Sequence, residues 1–316
     1  MKEEIGGYFE LEKLKGNEYH KNLISLNCGR NALDYLFRAR KIEKVYLPAF
    51  LCDSVKAMCE KNGYVYEIYH IDENFCPIFE KNLGADEYIY IVNFYGLFCQ
   101  KDIVVFREKY KNIIWDNTHA FYQSAVEGID TIYSCRKFFG VPDGAYLATT
   151  VTIDERLEKD ISSDRFKHLL GRFEGKASDF YADFKSNDAG FKTAPLKSMS
   201  DLTHNLLGAI DYEAAAQKRK NNFKILNDAF KDINKINVEN IDIPYAYPLY
   251  IKNGMKIKKK LAEKGIYVAT LWPNVFEGGN ELEKDFAENI LPLPIDQRYG
   301  DKEMEYLIRE VKRCIN

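Results

Sequence analysis

The stretch Asn112-Ile113-Ile114-Trp115-Asp116-Asn117-Thr118-His119, followed by Thr131-Ile132-Tyr133-Ser134-Cys135-Arg136-Lys137-Phe138-Phe139-Gly140-Val141-Pro142-Asp143-Gly144, decides how this chain is read. Each half is a short apolar run that ends in polar residues. The same unit recurs on either side. Val45-Tyr46-Leu47 stops at Pro48, 64–71 is rich in aromatic and β-branched residues, and Tyr88-Ile89-Tyr90-Ile91-Val92 is continuously apolar. A run of that last kind predicts a strand buried on both faces. Another strand is expected over 146–151. Helical patterns at 29–40, 52–62 and 100–110 fall between the runs. Alternating strands and helices predict an α/β layer structure with a mostly parallel sheet. In such sheets ligands bind beyond the carboxyl ends of the strands. Asn93, Asp116 and Ser134 each stand at or just past a strand end, so three strands deliver polar groups to one side.

The later part reads differently. Residues 165–187 are polar and aromatic with helical patterning. Residues 211–230 predict one long amphipathic helix that joins two domains. A second α/β pattern follows, with strand at 247–251, helix at 256–264, strand at 266–268 and a charged helix at 301–314. The expected division is a large domain over 1–210 and a small one over 211–316. The run Lys256-Ile257-Lys258-Lys259-Lys260 is read as a solvated helix face.

Composition bounds the function. The chain has 316 residues, 46% of them hydrophobic and 29% charged, and a net charge of −3, which suits a globular protein with a real core. No basic surplus points to nucleic acid. No signal-peptide run and no apolar stretch of membrane-spanning length is present, so a cytoplasmic protein is expected. The seven cysteines form no CxxC pair, which argues against a structural zinc site and for reduced thiols.

The polar groups at the strand ends carry chemistry. Lys137 sits in a turn beside two phenylalanines and a Gly-Val-Pro-Asp-Gly sequence. Desolvation there lowers a lysine's pKa and frees its amine for attack. Asp116 can hold a proton on a pyridine nitrogen, and the opposite charge keeps the carboxylate ionised. An aldehyde-bonding amine and such a carboxylate are what a protein must supply to pyridoxal phosphate (PLP). His119 can hydrogen-bond the cofactor's 3-hydroxyl or act as an orienting group. Gly29, Arg30 and Asn31 open a helix whose free backbone N–H groups make a phosphate seat, and the Ser134 hydroxyl can join it. Arg30 suits either that phosphate or a substrate anion. Asn93 is placed to bond the ring hydroxyl, and Phe50, Phe94 and Tyr95 are candidates to stack on the ring.

Taken together these residues resemble the sugar aminotransferases of the DegT/StrS type, a family of fold-type-I PLP enzymes. The motifs follow in order: Gly29-Arg30-Asn31-Ala32-Leu33, Leu47-Pro48-Ala49-Phe50, Asn93-Phe94-Tyr95-Gly96, Asp116 to His119, Ser134 to Lys137, and Leu291-Pro292-Leu293-Pro294. The resemblance implies a three-layer PLP-transferase fold with a mostly parallel central sheet and a smaller carboxyl-terminal α/β domain. It implies a homodimer with active sites at the interface, and Gly6-Gly7-Tyr8-Phe9 looks like an arm that reaches the partner. It further implies Lys137 as the cofactor-bonding lysine, Asp116 on the ring nitrogen, His119 near the 3-oxygen, and Ser134 with the Gly29 loop on the phosphate. The usual activity is amino transfer from glutamate to a keto sugar attached to a nucleotide. The chain departs from the pattern in its short length and in Arg30 where a small hydroxyl residue is usual. Ser134 also stands close to the lysine, and Cys52 falls where the stacking aromatic is expected. These departures weaken the nucleotide-sugar expectation. A PLP lyase and a non-catalytic binding or regulatory protein on the same scaffold are the alternatives.

Overall fold

The computed structural model describes residues 5–238 and 241–315. The first half alternates as its apolar runs require: β1 (Ile24–Leu26), α1 (Gly29–Arg40), β2 (Lys44–Pro48), α2 (Asp53–Asn62), β3 (Val65–Ile71), β4 (Pro77–Ile78) and β5 (Glu87–Val92). Then come α3 (Gln100–Tyr110), β6 (Ile113–Asp116), β7 (Asp130–Ser134) and β8 (Ala145–Ala148). All eight strands form one sheet in the order β1-β8-β7-β6-β5-β2-β3-β4. The run β7-β6-β5-β2-β3 is parallel throughout. β8 and β4 are antiparallel to their neighbours. The expected α/β architecture with a mainly parallel sheet is therefore what the chain adopts.

The parallel run has a direct consequence for function. The carboxyl ends of β5, β6 and β7 lie along one edge, which brings Asn93, Asp116 and Ser134 together. β1 pairs antiparallel with β8, which pairs antiparallel with β7. β1 therefore points the same way as β7, and the start of α1 emerges at that same edge. Gly144 closes the junction. Its N–H donates to the Asn27 carbonyl at 2.8 Å, and its carbonyl accepts from the Cys135 N–H at 3.1 Å. Its φ of +115° and the 3.1–3.2 Å left between a built Cβ and Thr203 or Cys135 demand a glycine.

The second half supplies α4 (Lys167–Glu174), α5 (Tyr181–Gly190), α6 (Asp201–Gly208), α7 (Tyr212–Phe230) and β9 (Tyr247–Tyr250). It ends with α8 (Gly254–Ala262), α9 (Val275–Gly278), α10 (Glu281–Asn289), β10 (Ile290–Leu293) and α11 (Asp301–Ile315). β9 pairs antiparallel with β10. The strand expected over 266–268 does not form. Gly265 turns the chain at φ +75°, and the Ile266 N–H is spent capping α8 on the Leu261 carbonyl. The partner of β9 is instead the Leu291-Pro292-Leu293 segment.

Three apolar clusters follow. The largest surrounds Trp115, Leu47 and Phe50 and draws in Trp272 and Phe286 from the carboxyl-terminal segment. A second joins α7, β9, β10 and α11 through Phe223, Tyr247, Leu291 and Met304. A third, around Phe121, Tyr133, Phe138 and Phe139, lies under the turn that holds Lys137. The lysine run of α8 is not uniformly solvated. Lys258 is buried, and its Nζ donates to the Ala287 carbonyl at 3.1 Å. Ile5, Tyr8 and Phe9 stand almost fully exposed. Among the described residues no helix is long and apolar enough to cross a membrane, and no group of His, Cys, Asp or Glu could hold a metal ion.

Candidate active site

Lys137 ends a single 3-10 turn, Cys135–Lys137, directly after β7. The turn is closed by the Phe138 N–H on the Cys135 carbonyl at 3.1 Å. Phe138 and Phe139 are buried behind it, while Lys137 is exposed. The hydrophobic neighbours anchor the turn and direct the amine outward, rather than enclosing it as its sequence surroundings suggested. Lys137 Nζ lies 5.6 Å from the centre of the Tyr245 ring.

Asp116 is buried at the end of β6. Tyr90 donates its hydroxyl to Oδ2 at 2.6 Å, and the Thr118 N–H donates to Oδ1 at 2.7 Å. Burial pushes the carboxyl above its usual range, against the Tyr90 and Thr118 hydrogen bonds and the charge of Lys137. Tyr90 stays a neutral donor, because burial and then Asp116 hold its pKa well above the usual phenol value. Among the described residues no cation contacts Asp116, so a cationic ring nitrogen would relieve its burial.

His119 is buried between two rings. Tyr245 stacks at 4.6 Å and 14°, and Trp272 at 5.5 Å and 22°. The Tyr95 N–H donates to Nδ1 at 3.3 Å, which places the proton of the neutral ring on Nε2. Burial, and then the Lys137 charge, hold the imidazole well below its usual pKa. His119 is thus a neutral donor.

The start of α1 is uncapped by any side chain, with Cys28 at the N-cap position. Its first N–H groups and the positive end of its dipole are open to an anion. Ser134 does not cap its own turn. Arg30 makes no ion pair among the described residues, and it lines a cavity of about 310 Å³ with Phe191 and Lys192. Arg136 is a second guanidinium here. It lies over Phe191 at 4.7 Å and pairs with Asp188 at 3.4 Å, and burial pushes its pKa down against that pairing. Both arginines carry positive charge near the uncapped helix start.

The expectations for Asn93 and for the stacking aromatics need correction. Asn93 offers no donor to a ring hydroxyl. Its amide N–H groups go to the Phe98 carbonyl, Asn117 Oδ1 and Gln123 Oε1, and its Oδ1 accepts from the Phe98 N–H. It fixes the loop after β5. The Asn31 side chain is likewise engaged, donating to Asn27 Oδ1 and to the Pro195 carbonyl, both at 2.8 Å. Only its backbone N–H remains for a phosphate. Phe50, Phe94 and Tyr95 are at most 1% exposed and belong to the core. Cys52, at the expected stacking position, is exposed at the start of α2.

The reading of residues missed Tyr90, Arg136, Tyr245 and Trp272. Tyr90 and Arg136 stood in quoted motifs and could have been found from them: Tyr90 two residues before Val92, the sheet partner of Asp116, and Arg136 one residue before the lysine. Tyr245 and Trp272 come from the carboxyl-terminal segment and carry no local signal. Asp143, in the Pro-Asp-Gly turn, is structural. It accepts from the Ser200 N–H at 2.9 Å, the Ser200 hydroxyl at 2.7 Å and the Thr203 hydroxyl, and so ties the loop after Lys137 to α6. Asp143→Ala should cost roughly 3 kcal/mol, because three buried donors lose their acceptor. Urea unfolding of the variant with an unchanged midpoint would contradict this.

No family model and no curated protein matches the chain. Solved structures do. NtdA from Bacillus subtilis, with bound cofactor PMP, superposes with a TM-score of 0.66 at 16% identity, covering 93% of this chain and 73% of its own. A DegT DnrJ EryC1 StrS aminotransferase from Brucella abortus gives 0.61 at 15%, covering 92% and 85%. The sugar aminotransferase CalS13 from Micromonospora echinospora gives 0.60 at 11%, covering 92% and 87%. At these identities the likeness establishes the fold, and it is the fold that the motifs resembled.

Proposed function

We propose that this chain is a PLP-dependent aminotransferase that moves an amino group from an amino acid to a keto sugar. The observation that carries the reading is the convergence of an exposed lysine amine, a buried carboxylate without a cationic partner, and an uncapped helix start at one sheet edge. That set fits a phosphorylated pyridine aldehyde. The fold shared with sugar aminotransferases supports the same reaction by analogy.

Each residue has a defined task. The N–H groups of Gly29, Arg30 and Asn31, the Ser134 hydroxyl and the Arg30 and Arg136 guanidiniums would hold the phosphate. Asp116 would hold the proton of the ring nitrogen, with Tyr90 orienting the carboxylate. His119 Nε2–H would donate to the ring's 3-oxygen. The Lys137 amine would bond the aldehyde carbon and, once displaced by the amino donor, carry a proton from the donor's α-carbon. When bound, PLP supplies the electron sink for the pair left on that carbon. The acceptor is read as a sugar, with nucleotide attachment the finer form of the same proposal and glutamate the expected donor. The chain is read as a cytoplasmic homodimer in which the exposed Ile5, Tyr8 and Phe9 reach a partner.

Half-reactions with a panel of amino acids test the assignment. A transaminase accumulates pyridoxamine phosphate and one equivalent of keto acid without a second substrate. Keto acid release with PLP regenerated unchanged would assign a lyase. A protein that takes up no PLP would be a binding module.

A further inference from the structure

Arg219 lies on α7 and is 1% exposed, yet among the described residues no carboxylate contacts it. The acidic charge it feels, Asp296, is engaged by Arg298 at 2.6 and 2.9 Å. Arg219 instead donates to four neutral acceptors: Gln297 Oε1 at 3.0 Å, and the carbonyls of Pro244, Tyr245 and Phe138 at 3.3 Å each. Its guanidinium also lies 4.5 Å from the centre of the Phe138 ring. Burying a cation without a counter-ion is costly, and burial pushes this one down to about 10. An apolar side chain of similar volume would stabilise the same spot at less cost, so the contacts themselves need a reason.

They converge on the reactive amine. Phe138 follows Lys137 directly, and its N–H closes the turn that holds the lysine. Its carbonyl receives a second donor, Gln297 Nε2, at 2.8 Å. Tyr245, whose carbonyl Arg219 also holds, stacks on His119 and underlies Lys137 Nζ. One guanidinium therefore grips the turn after β7 and the chain before β9.

We propose that Arg219 is a positioning residue that fixes the Lys137 turn against Tyr245 and so couples the carboxyl-terminal segment to the reactive amine. Gln297 is the second half of this clamp. Only the effect on cofactor chemistry rests on the assignment of Lys137 as the PLP-bonding lysine.

Full-length Arg219→Lys and Gln297→Leu proteins test it. Gln297 is half-buried, so its replacement spares the core if Arg219→Lys fails to fold. In cofactor-free protein, hydrogen exchange of the Phe138 and Phe139 amides should rise about tenfold or more in each variant, with α3 and the central strands unchanged. In PLP-loaded protein, the pH midpoint of the cofactor's visible absorbance should move by about half a unit or more. Uniformly raised exchange would reduce Arg219 to a general stabilising residue and overturn the proposal. So would local exchange and an absorbance midpoint that both match the parent. If the parent itself shows no cofactor absorbance, the PLP reading fails while the exchange data still decide whether the clamp exists.

Discussion

Lys137→Ala protein will take up PLP without a covalent bond, and its turnover will fall to background. Borohydride reduction of the parent protein followed by peptide mapping should place a pyridoxyl group on Lys137 alone. The expectation follows from geometry. Lys137 is exposed at the parallel strand edge, beside the buried Asp116 and His119 whose pKa values its charge lowers. Removing the amine removes both the cofactor bond and the group that carries the α-proton, so the loss is expected to exceed roughly 10³-fold. The helix start and the arginines remain, so noncovalent binding should survive. A label on any other lysine would end this reading of the site.

Asp116→Asn should slow α-proton abstraction by roughly two orders of magnitude or more, the scale of one well-placed electrostatic group. The asparagine keeps the shape: its Oδ1 can accept from the Thr118 N–H, and its Nδ2 can donate to the Tyr90 hydroxyl once that hydroxyl turns to accept, so folding should change little. What it loses is the charge that holds a proton on the ring nitrogen. The pH dependence has a definite sign. Burial raises the Asp116 carboxyl in the cofactor-free protein. Its ionised form there costs stability at neutral pH. That cost is absent below the unfolded pKa and grows as pH rises above it, until the folded carboxyl also ionises. Cofactor-free Asp116→Asn should therefore match or exceed the parent in stability at neutral pH. A near-normal single-turnover rate would assign Asp116 to the turn alone.

Much of this site could be read from residues because strand ends are local. Asp116 and Ser134 each finish a short apolar run, and a parallel sheet aligns such ends without further information. The same reasoning failed at Asn93, where the strand end is right but the side chain is consumed by Phe98, Asn117 and Gln123. Residue identity does not reveal which acceptors a loop will fold back to offer. Tyr245, Trp272 and Arg219 were illegible for a different reason. They meet Phe138, His119 and Lys137 only through packing between segments far apart in the chain. The false strand at 266–268 has the composition of a strand, but a helix cap took its first N–H.

The place of β1 in the sheet sets an order of events during synthesis. Among the described residues β1 precedes every other strand, yet the strand it pairs with is β8, far later in the chain, and its other bridge is to Ser198. A ribosome adding about 5–20 residues per second needs on the order of ten seconds to make the intervening chain. Until then Ile24, Ser25 and Leu26 have no ladder, and the start of α1 has no fixed place beside Lys137. Nascent protein can assemble β2 to β7 while remaining unable to grip a phosphate. The cofactor can therefore stabilise this chain only once β8 has seated against β1, and cofactor scarcity in the cell would act after that step rather than on early folding.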